Sequence, residues 1–319
     1  MTDPSCRYNA IALDLDGTLL GPGSRVLEEN TRAVHRAIDA GLRVVVCTGR
    51  GLRECLFALE AMGLDGPAVV AGGSMIADPV GGGTIHRFPI HDSIVRTAVD
   101  RLIDLGHPAL VLKDRSASGF DYLLVRGQAG LELDPVSRWW LDEMEVGVRE
   151  VATLDEDDHP EHTVRVGACA RAATLRSVRA ALVEGFGDRV MVQHFKAVVA
   201  PPETIAAAGV EPEDGILVGA ADGYTAEGDN AVHILEVFDA MAHKWSALSW
   251  LLEGWKIPPR RVAAMGDEVN DLTMIRAAGL GVAMGNAVDE VRAIADRVAE
   301  PNHEAGVARS IDRVLSGEW

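Results

Sequence analysis

Cysteine is scarce in this chain of 319 residues, and the four cysteines form no redox or zinc-binding pattern. They are Cys6, Cys47, Cys55 and Cys169, and no two of them are spaced as a C-x-x-C pair. Disulfide frameworks and structural zinc sites both depend on patterned cysteines. We therefore interpret the four as reduced thiols of a cytoplasmic protein.

Basic residues and long apolar runs are also lacking. Lysine and arginine number 30 against 48 acidic residues, which leaves a net charge of −18. This charge repels nucleic-acid backbones and anionic membranes, but it admits a small phosphorylated metabolite, because salt screens a distant surface field within about 8 Å. No run reaches the roughly 18 apolar residues of a membrane span, and the N-terminus shows no basic-then-apolar leader. We expect neither nucleic acid nor membrane as a partner, and the oligomeric state is left open.

Hydrophobic residues are abundant, at 48%, and the length suffices for two domains. At both ends of the chain, short apolar runs alternate with helical patterns. Such alternation predicts a doubly wound parallel sheet of the Rossmann-like α/β class, in which ligands bind at the carboxyl ends of the strands. In the helix predicted over Glu28–Ala40, Val34 and Ile38 are spaced i, i+4 and so lie on one face.

The middle of the chain follows a different pattern. Gly81-Gly82-Gly83 has the composition of a hinge, and beyond it strands and helices mix without strict alternation. We predict a core formed by residues 1–82 and 233–319, with an inserted α+β cap domain over 83–232 that has one sheet and helices on one face.

Two parts of this insertion bear on its boundaries. The core is expected to resume near the strand His233–Val237. Before it, Pro201–Asn230 is rich in proline, glycine, alanine and acidic residues, with one strand predicted over Gly215–Val218.

The apolar run Ile11–Leu13 ends in two carboxylates. Asp14 and Asp16 are two residues apart, and Gly17 makes the chain turn directly after them. Ionised carboxylates about 4 Å apart repel by roughly 4 kcal/mol at an effective dielectric of about 20. A bound divalent cation would turn this repulsion into a binding site, whereas the alternative is a solvated turn after an edge strand.

Three further motifs follow in order: Thr48-Gly49-Arg50 after a β-branched strand, Lys244 at the start of a helical stretch, and Gly266-Asp267-Glu268-Val269-Asn270-Asp271 after a third strand. The set resembles the haloacid dehalogenase (HAD) superfamily of phosphohydrolases. The tail Gly281–Ala287 resembles the Cof-like branch, whose members carry a large α/β cap. Each motif is weak alone, but their order is specific.

The resemblance implies an aspartyl-phosphate mechanism. Asp14 would attack phosphorus, and Asp16 would protonate the leaving oxygen and later deprotonate the attacking water. The metal ligands would be Asp14, Asp16 through its backbone carbonyl, and Asp267. All-oxygen ligation favours Mg²⁺, because no histidine or cysteine accompanies these motifs.

The resemblance also implies which groups bind phosphate. Asp271 would orient Lys244 or a metal-bound water, and Arg50 has two alternatives, a contact with substrate or an ion pair with a carboxylate of the cap. Phosphoryl oxygens would be held by Thr48, the Gly49 amide, Lys244 and Asn270.

Two other patterns carry simpler alternatives. Asn286 matches a common family asparagine, and it is either a buttress of the loop that bears Asp267 or a plain turn residue. His159 and His162 lie beside the acidic run Asp155–Asp158, and loop charge explains that cluster without a metal.

The sequence therefore predicts a Mg²⁺-dependent phosphatase of the HAD superfamily that hydrolyses a small phosphate monoester, with sugar phosphates as the first expectation. A phosphomutase of the same superfamily is an alternative, because it differs only in the acceptor of the phosphoryl group. A non-catalytic protein that binds a phosphorylated metabolite is the second alternative, and the complete set of acidic residues and Lys244 disfavours it.

Overall fold

The two ends of the chain fold together, and the residues between them form a separate unit. The structure is a computed structural model that describes residues 7–196, 211–213, 216–218 and 232–319. The chain up to Arg87 joins Ala242–Trp319 in one unit, called the core unit below. Phe88–Met241 forms the other, called the cap unit.

The core unit contains a five-stranded parallel sheet. From edge to edge, its strands are Arg297–Val298, Leu280–Ala283, Val262–Gly266, Ala10–Leu13 and Arg43–Val46. The second, third and fourth strands in this order are buried at every residue. Strands with no face in water need apolar side chains on both faces, which explains the unbroken apolar runs of the sequence. The predicted α/β fold class is confirmed.

Helices connect these strands, as the predicted alternation requires. They span Glu28–Asp39, Leu52–Ala61, Lys244–Trp255, Leu272–Ala277, Asp289–Ile294 and Gly306–Ser316. In the first helix Val34 is buried but Ile38, one turn later, is 41% exposed, so the face that they share is only partly covered. The buried stripe instead includes Asn30, whose side-chain oxygen accepts a hydrogen bond from the Ala308 N–H at 3.1 Å. A polar side chain thus links the first and last helices, which pack together.

Short antiparallel strands complete the core unit. One three-stranded sheet consists of Ala68–Val70, Met75–Ala77 and Thr84–Arg87, and a parallel bridge from Cys47 to Val69 connects it to the large sheet. Leu20–Gly21 pairs with Arg25–Val26.

The register of the parallel sheet places three turns side by side. These turns begin at Asp14, Cys47 and Asp267, where the central strands end. The Asp14 N–H donates to the Met265 carbonyl at 3.0 Å, and the Cys47 N–H donates to the Leu13 carbonyl at 2.8 Å. Residues far apart in sequence therefore meet at one edge of the sheet.

The cap unit is built on a six-stranded mixed sheet. In spatial order its strands are Val148–Val151, Tyr122–Val125, Ala109–Lys113, Thr163–Arg171, Val232–Asp239 and Val190–Lys196. Its helices are Asp92–Asp104, Arg115–Ser118, Pro135–Glu143 and Ala172–Phe186. The two longest helices contact each other and pack on alternate strand residues such as Val166 and Ala168. A single hydrophobic core therefore lies between these helices and one face of the sheet.

The second segment of the core unit begins later in the chain than the sequence predicted. The strand Val232–Asp239 pairs antiparallel with Thr163–Arg171 on one side and with Val190–Lys196 on the other, inside the cap-unit sheet. The core unit consequently resumes at Ala242 and not at residue 233. Apolar alternation identified a strand here, but its partners are remote in sequence.

The entry to the cap unit also differs from the predicted boundary at residue 82. Thr84–Arg87 pairs with Met75–Ala77 and so belongs to the core unit. The triple-glycine turn Gly81-Gly82-Gly83 connects two strands of one sheet, so the hinge predicted there is instead a strand connection.

The structure describes only part of the acidic stretch that precedes the strand Val232–Asp239. Ile216–Val218 forms a strand, as predicted, and pairs with Glu211–Glu213. The rest of the predicted stretch Pro201–Asn230 lies outside the described residues, as does Cys6.

Candidate active site

The first turn of the site depends on a glycine. Asp14 directly follows the core strand Ala10–Leu13, and the chain then winds tightly over Leu15–Leu19. Gly17 has a φ of +72°, and a Cβ at this position would lie 2.0 Å from a carboxylate oxygen of Asp267. Only glycine fits both this backbone conformation and this close approach. The turn therefore brings the backbone that follows Asp14 directly against Asp267.

A fully buried lysine occupies the centre of the site. Lys244 is the first residue of its helix, which begins after His243, whose Nδ1 accepts a hydrogen bond from the Ser246 N–H. The Lys244 ammonium donates to Asp14 at 2.5 Å and to Asp271 at 2.6 Å, and it lies 3.3 Å from the Asn270 side-chain oxygen. One cation thus connects the turn after the first strand with the turn after Gly266.

Burial and mutual repulsion dominate the electrostatics of this cluster. Burial raises the pKa of Asp14 well above its ordinary value, the charge of Asp271 raises it further, and Lys244 opposes both. Burial and the charge of Asp271 also raise the pKa of Asp267 to about 7. Burial lowers the pKa of Lys244, but the charges of Asp14 and Asp271 outweigh burial and raise it above the ordinary value. The lysine stays charged, and the carboxylates lack sufficient positive charge around them.

Thr18 and Asp271 hold Asp267 in place. The Thr18 hydroxyl donates to Asp267 at 2.7 Å. Asp271, which is fully buried, accepts from the backbone N–H groups of Asp267 at 3.0 Å and Glu268 at 3.2 Å. Thr18 was not among the residues predicted for the site, although a hydroxyl residue directly after the turn at Gly17 is visible in the sequence.

The three carboxylates form a compact set of oxygen donors. Oxygens of Asp14, Asp267 and Asp271 lie within 4.8 Å of one another. Asp271 already accepts three hydrogen bonds, from Lys244 and two backbone amides. Asp14 and Asp267 are therefore the more available oxygen donors for a cation.

The predicted phosphate-binding loop lies next to this cluster. Thr48 is buried, and its N–H donates to the Val69 carbonyl at 2.9 Å. A Cβ on Gly49 would lie 3.7 Å from the side-chain nitrogen of Asn270, so these two residues face each other. The structure thus brings the Thr48–Gly49 turn and the turn of Asn270 to the same place.

Asp16 and Arg50 form an ion pair that the sequence analysis did not consider. The Arg50 guanidinium donates to one carboxylate oxygen of Asp16 at 2.8 Å and to the other at 2.6 Å. Arg50 is buried, while the Asp16 side chain is 48% exposed. One partner of Arg50 is thus a carboxylate of the core unit, and its predicted contacts with substrate or with a cap carboxylate stay predictions. The Asp16 side chain is directed to Arg50 and is not part of the Asp14–Asp267–Asp271 cluster.

Asn286 supports a different turn from the one predicted. Its side-chain nitrogen donates to the Gly17 carbonyl at 2.8 Å, and its oxygen accepts from the Asn302 N–H at 2.9 Å. The backbone of Asp267 is instead held by Val288, whose N–H donates to the Asp267 carbonyl at 2.9 Å. Asn286 therefore stabilises the turn after Asp14.

Comparison with known proteins identifies the family. The model of the family described as haloacid dehalogenase-like hydrolase matches residues 11–182 and 227–311. The chain belongs to this family. The match includes the turns that begin at Asp14, Cys47 and Asp267, together with Lys244.

Curated HAD-like relatives span nearly the whole chain. The 5-amino-6-(5-phospho-D-ribitylamino)uracil phosphatase YwtE of Bacillus subtilis (strain 168) is 29% identical and covers 97% of this chain and 99% of its own length. The pyridoxal phosphate phosphatase YbhA of Escherichia coli (strain K12) is 27% identical and covers 94% of this chain and 96% of its own length. This HAD-like protein is a phosphoric monoester hydrolase.

A solved structure agrees on the fold. A haloacid dehalogenase-like hydrolase from Bacteroides thetaiotaomicron superposes with a TM-score of 0.71 at 22% identity, covering 96% of this chain and 99% of its own. The HAD fold with a cap is therefore common to the two proteins.

Proposed function

We propose that this HAD-like phosphatase hydrolyses a small phosphate monoester through an aspartyl-phosphate on Asp14, with Mg²⁺ as its cofactor. The observation that carries the proposal is the Lys244 ammonium, fully buried and shared between Asp14 and Asp271 at 2.5 and 2.6 Å. Steady-state release of phosphate from p-nitrophenyl phosphate, measured with and without Mg²⁺, tests the proposal. It also separates a phosphatase from the non-catalytic alternative.

Asp14 acts as the nucleophile. Its carboxylate attacks phosphorus, the bond to the leaving oxygen breaks, and water later cleaves the acyl phosphate to regenerate the carboxylate. Lys244 holds one carboxylate oxygen of Asp14 and leaves the other to attack. The same ammonium, together with the Gly49 amide, stabilises negative charge that develops on the phosphoryl oxygens.

Asp16 acts as the general acid and base. Arg50 occupies both of its carboxylate oxygens, so at least one of these hydrogen bonds must break before Asp16 can carry a proton to the leaving oxygen. Because the Asp16 side chain is half-exposed, it has room to rotate. Asp16 is ionised once it has given its proton to the leaving oxygen, and Arg50 stabilises this carboxylate, which then accepts a proton from the attacking water.

The residues present fit a magnesium ion. Buried Asp14 and half-buried Asp267 are oxygen donors within 4.8 Å of each other, and one lysine cannot neutralise them together with Asp271. Asp14, Asp267 and the backbone carbonyl of Asp16 would hold the ion. When bound, Mg²⁺ supplies positive charge to the phosphoryl oxygens.

Replacing Asp16 by asparagine is expected to lower kcat by about 10²–10⁴-fold for an alkyl phosphate, since general acid–base help is lost. The loss should be smaller for p-nitrophenyl phosphate, because its leaving group departs without a proton. Steady-state kinetics with both substrates measure the difference. A loss below tenfold with the alkyl phosphate would point to another acid.

Chelation by EDTA is expected to stop turnover, and Mg²⁺ should restore it better than Ca²⁺. Calcium accepts a larger and more irregular oxygen shell, which misaligns in-line attack. Rates are measured after dialysis against chelator and stepwise addition of each ion. Full activity in metal-free buffer contradicts a metal site in the carboxylate cluster.

The substrate class follows from the chemistry of the relatives. The names of the two relatives cited above specify a phospho-D-ribitylamino compound and pyridoxal phosphate. We propose a small phosphorylated metabolite with a sugar-like carbon chain, and we assign the choice of leaving group to the cap unit. A panel of sugar, sugar-alcohol and cofactor phosphates tests this, and retention of phosphate in an isomeric ester would identify the phosphomutase alternative.

We also propose a cytoplasmic location, in line with cysteines that are unpaired in the described residues. The part of the chain that the structure describes has no helix of the length and hydrophobicity that a membrane span requires. Fractionation of cells that express the protein tests the location.

A further inference from the structure

A buried lysine of the cap unit fixes the turn that ends at His162. Lys113 is almost completely buried, forms an ion pair with the buried Asp157, and donates to the Thr163 hydroxyl at 2.7 Å and to the His159 carbonyl at 3.1 Å. Within the turn, the His162 N–H donates to the His159 carbonyl at 3.0 Å. The backbone that carries both histidines is therefore held in one conformation before any ligand arrives.

This turn brings three metal-ligating side chains together. Ligand atoms of His159, Glu161 and His162 all lie within 4.8 Å of one another. The two imidazole rings are 5.9 Å apart with an angle of 28° between their planes. The Nδ1 atom of His162 is buried and has no hydrogen-bond partner among the described residues. An unpaired buried polar atom destabilises the folded chain, so a ligand on this nitrogen would stabilise the turn.

Glu161 differs from the other acidic residues around it. Asp155 pairs with Arg96 at 3.0 Å and Asp158 pairs with Arg149 at 2.8 Å. Within the described ranges, Glu161 has no such arginine or lysine, and its ion-pair partner is His162 at 3.3 Å. In the described residues Asp155, Asp157 and Asp158 are each paired with an arginine or lysine, whereas the ion-pair partner of Glu161 is a histidine, so loop charge alone does not explain this cluster.

We infer that His159, Glu161 and His162 form a site for a divalent transition-metal cation of the zinc class. Two imidazole nitrogens and one carboxylate oxygen are a donor set of three-residue zinc sites, in which water completes the coordination. Donors about 2.0–2.2 Å from a tetrahedral zinc ion lie about 3.4 Å apart, so the side chains need to move closer by up to about 1.4 Å when the ion binds.

The site differs chemically from the carboxylate cluster of the core unit. That cluster offers only oxygen donors from Asp14, Asp267 and Asp271, which suit Mg²⁺. Nitrogen donors favour the later divalent ions, and Mg²⁺ competes weakly for them. The inference is independent of the proposed catalytic mechanism, since all three ligands belong to the cap unit.

Zinc binding to the full-length protein in excess Mg²⁺ tests the site. Calorimetric titration with Zn²⁺ is expected to show one zinc bound to the wild type. His159→Gln, His162→Gln and Glu161→Gln should each weaken it by at least about 100-fold, because loss of a partner outside the ligand shell already costs 10–100-fold. Glu161 is exposed, so its variant keeps the test valid if a histidine variant fails to fold.

His303→Gln is the matched control. His303 is exposed and lies 3.9 Å from Glu304, so it forms a histidine–carboxylate pair with no third ligand in the described set. Its zinc affinity should equal that of the wild type. Zinc should raise the midpoint temperature of thermal unfolding of the wild type and of His303→Gln, but not of the three ligand variants.

Either of two results would overturn the inference. One is that the wild type binds no zinc, or that the ligand variants bind it as tightly as the wild type. The other is that Asp267→Asn abolishes zinc binding while His159→Gln retains it, which would place the zinc in the core unit.

Discussion

Asp14→Asn is expected to abolish turnover and to leave the fold intact, because an amide cannot attack phosphorus. The rate should fall by about 10⁴-fold or more, as expected when a covalent nucleophile is removed. Loss of one buried negative charge also relieves repulsion with Asp271, so the folded state should not be weakened.

The measurement is phosphate release under saturating substrate, combined with circular dichroism and thermal unfolding. Asp39→Asn is the matched control, since it makes the same chemical change on an exposed helical position. Activity of Asp14→Asn above one-tenth of the wild type would be incompatible with Asp14 as the nucleophile.

Lys244→Met is expected to impair both catalysis and stability. The substitution removes the only ammonium that contacts Asp14 and Asp271 in the described structure. Breaking a buried ion pair by removing one partner costs about 3–5 kcal/mol of unfolding free energy. Loss of the charge that faces the developing phosphoryl oxygens should lower kcat by about 10²–10³-fold.

Lys113→Met separates these two effects. Lys113 is also a buried lysine paired with a buried carboxylate, Asp157, but it belongs to the cap unit. A similar loss of unfolding free energy is expected, while turnover of p-nitrophenyl phosphate per folded molecule stays unchanged. Chemical denaturation and kinetics of both variants are compared in excess Mg²⁺. Equal loss of kcat in the two variants would show that Lys244 has no special part in the chemistry.

Much of the core unit could be predicted from sequence, because a buried parallel strand is recognisable locally. The runs that end at Leu13, Val46 and Met265 are apolar without alternation, and each ends in a turn with polar residues. Since carboxyl ends of parallel strands meet at one edge, the convergence of Asp14, Thr48 and Asp267 followed from the fold class.

The cap boundaries could not be predicted, because local periodicity identifies a strand but does not show which remote strands it pairs with. Val232–Asp239 has the pattern of a strand, but its neighbours are Thr163–Arg171 and Val190–Lys196. Likewise, Thr84–Arg87 belongs to the core unit through its pairing with Met75–Ala77. Sheet membership depends on hydrogen bonds made only after the chain has folded.

The sequence by itself determined which chemical groups the site contains: the carboxylates, one lysine, and a glycine where the first turn must bend. Only the tertiary structure decided how these groups are paired. In the folded chain Lys244 lies between Asp14 and Asp271, and Asp16 forms an ion pair with Arg50. Burial then raised the pKa of Asp267 to about 7. Pairing depends on the distances between side chains that are remote in sequence, and the pKa shifts depend on the exclusion of water. Both are set only when distant segments of the chain have packed together.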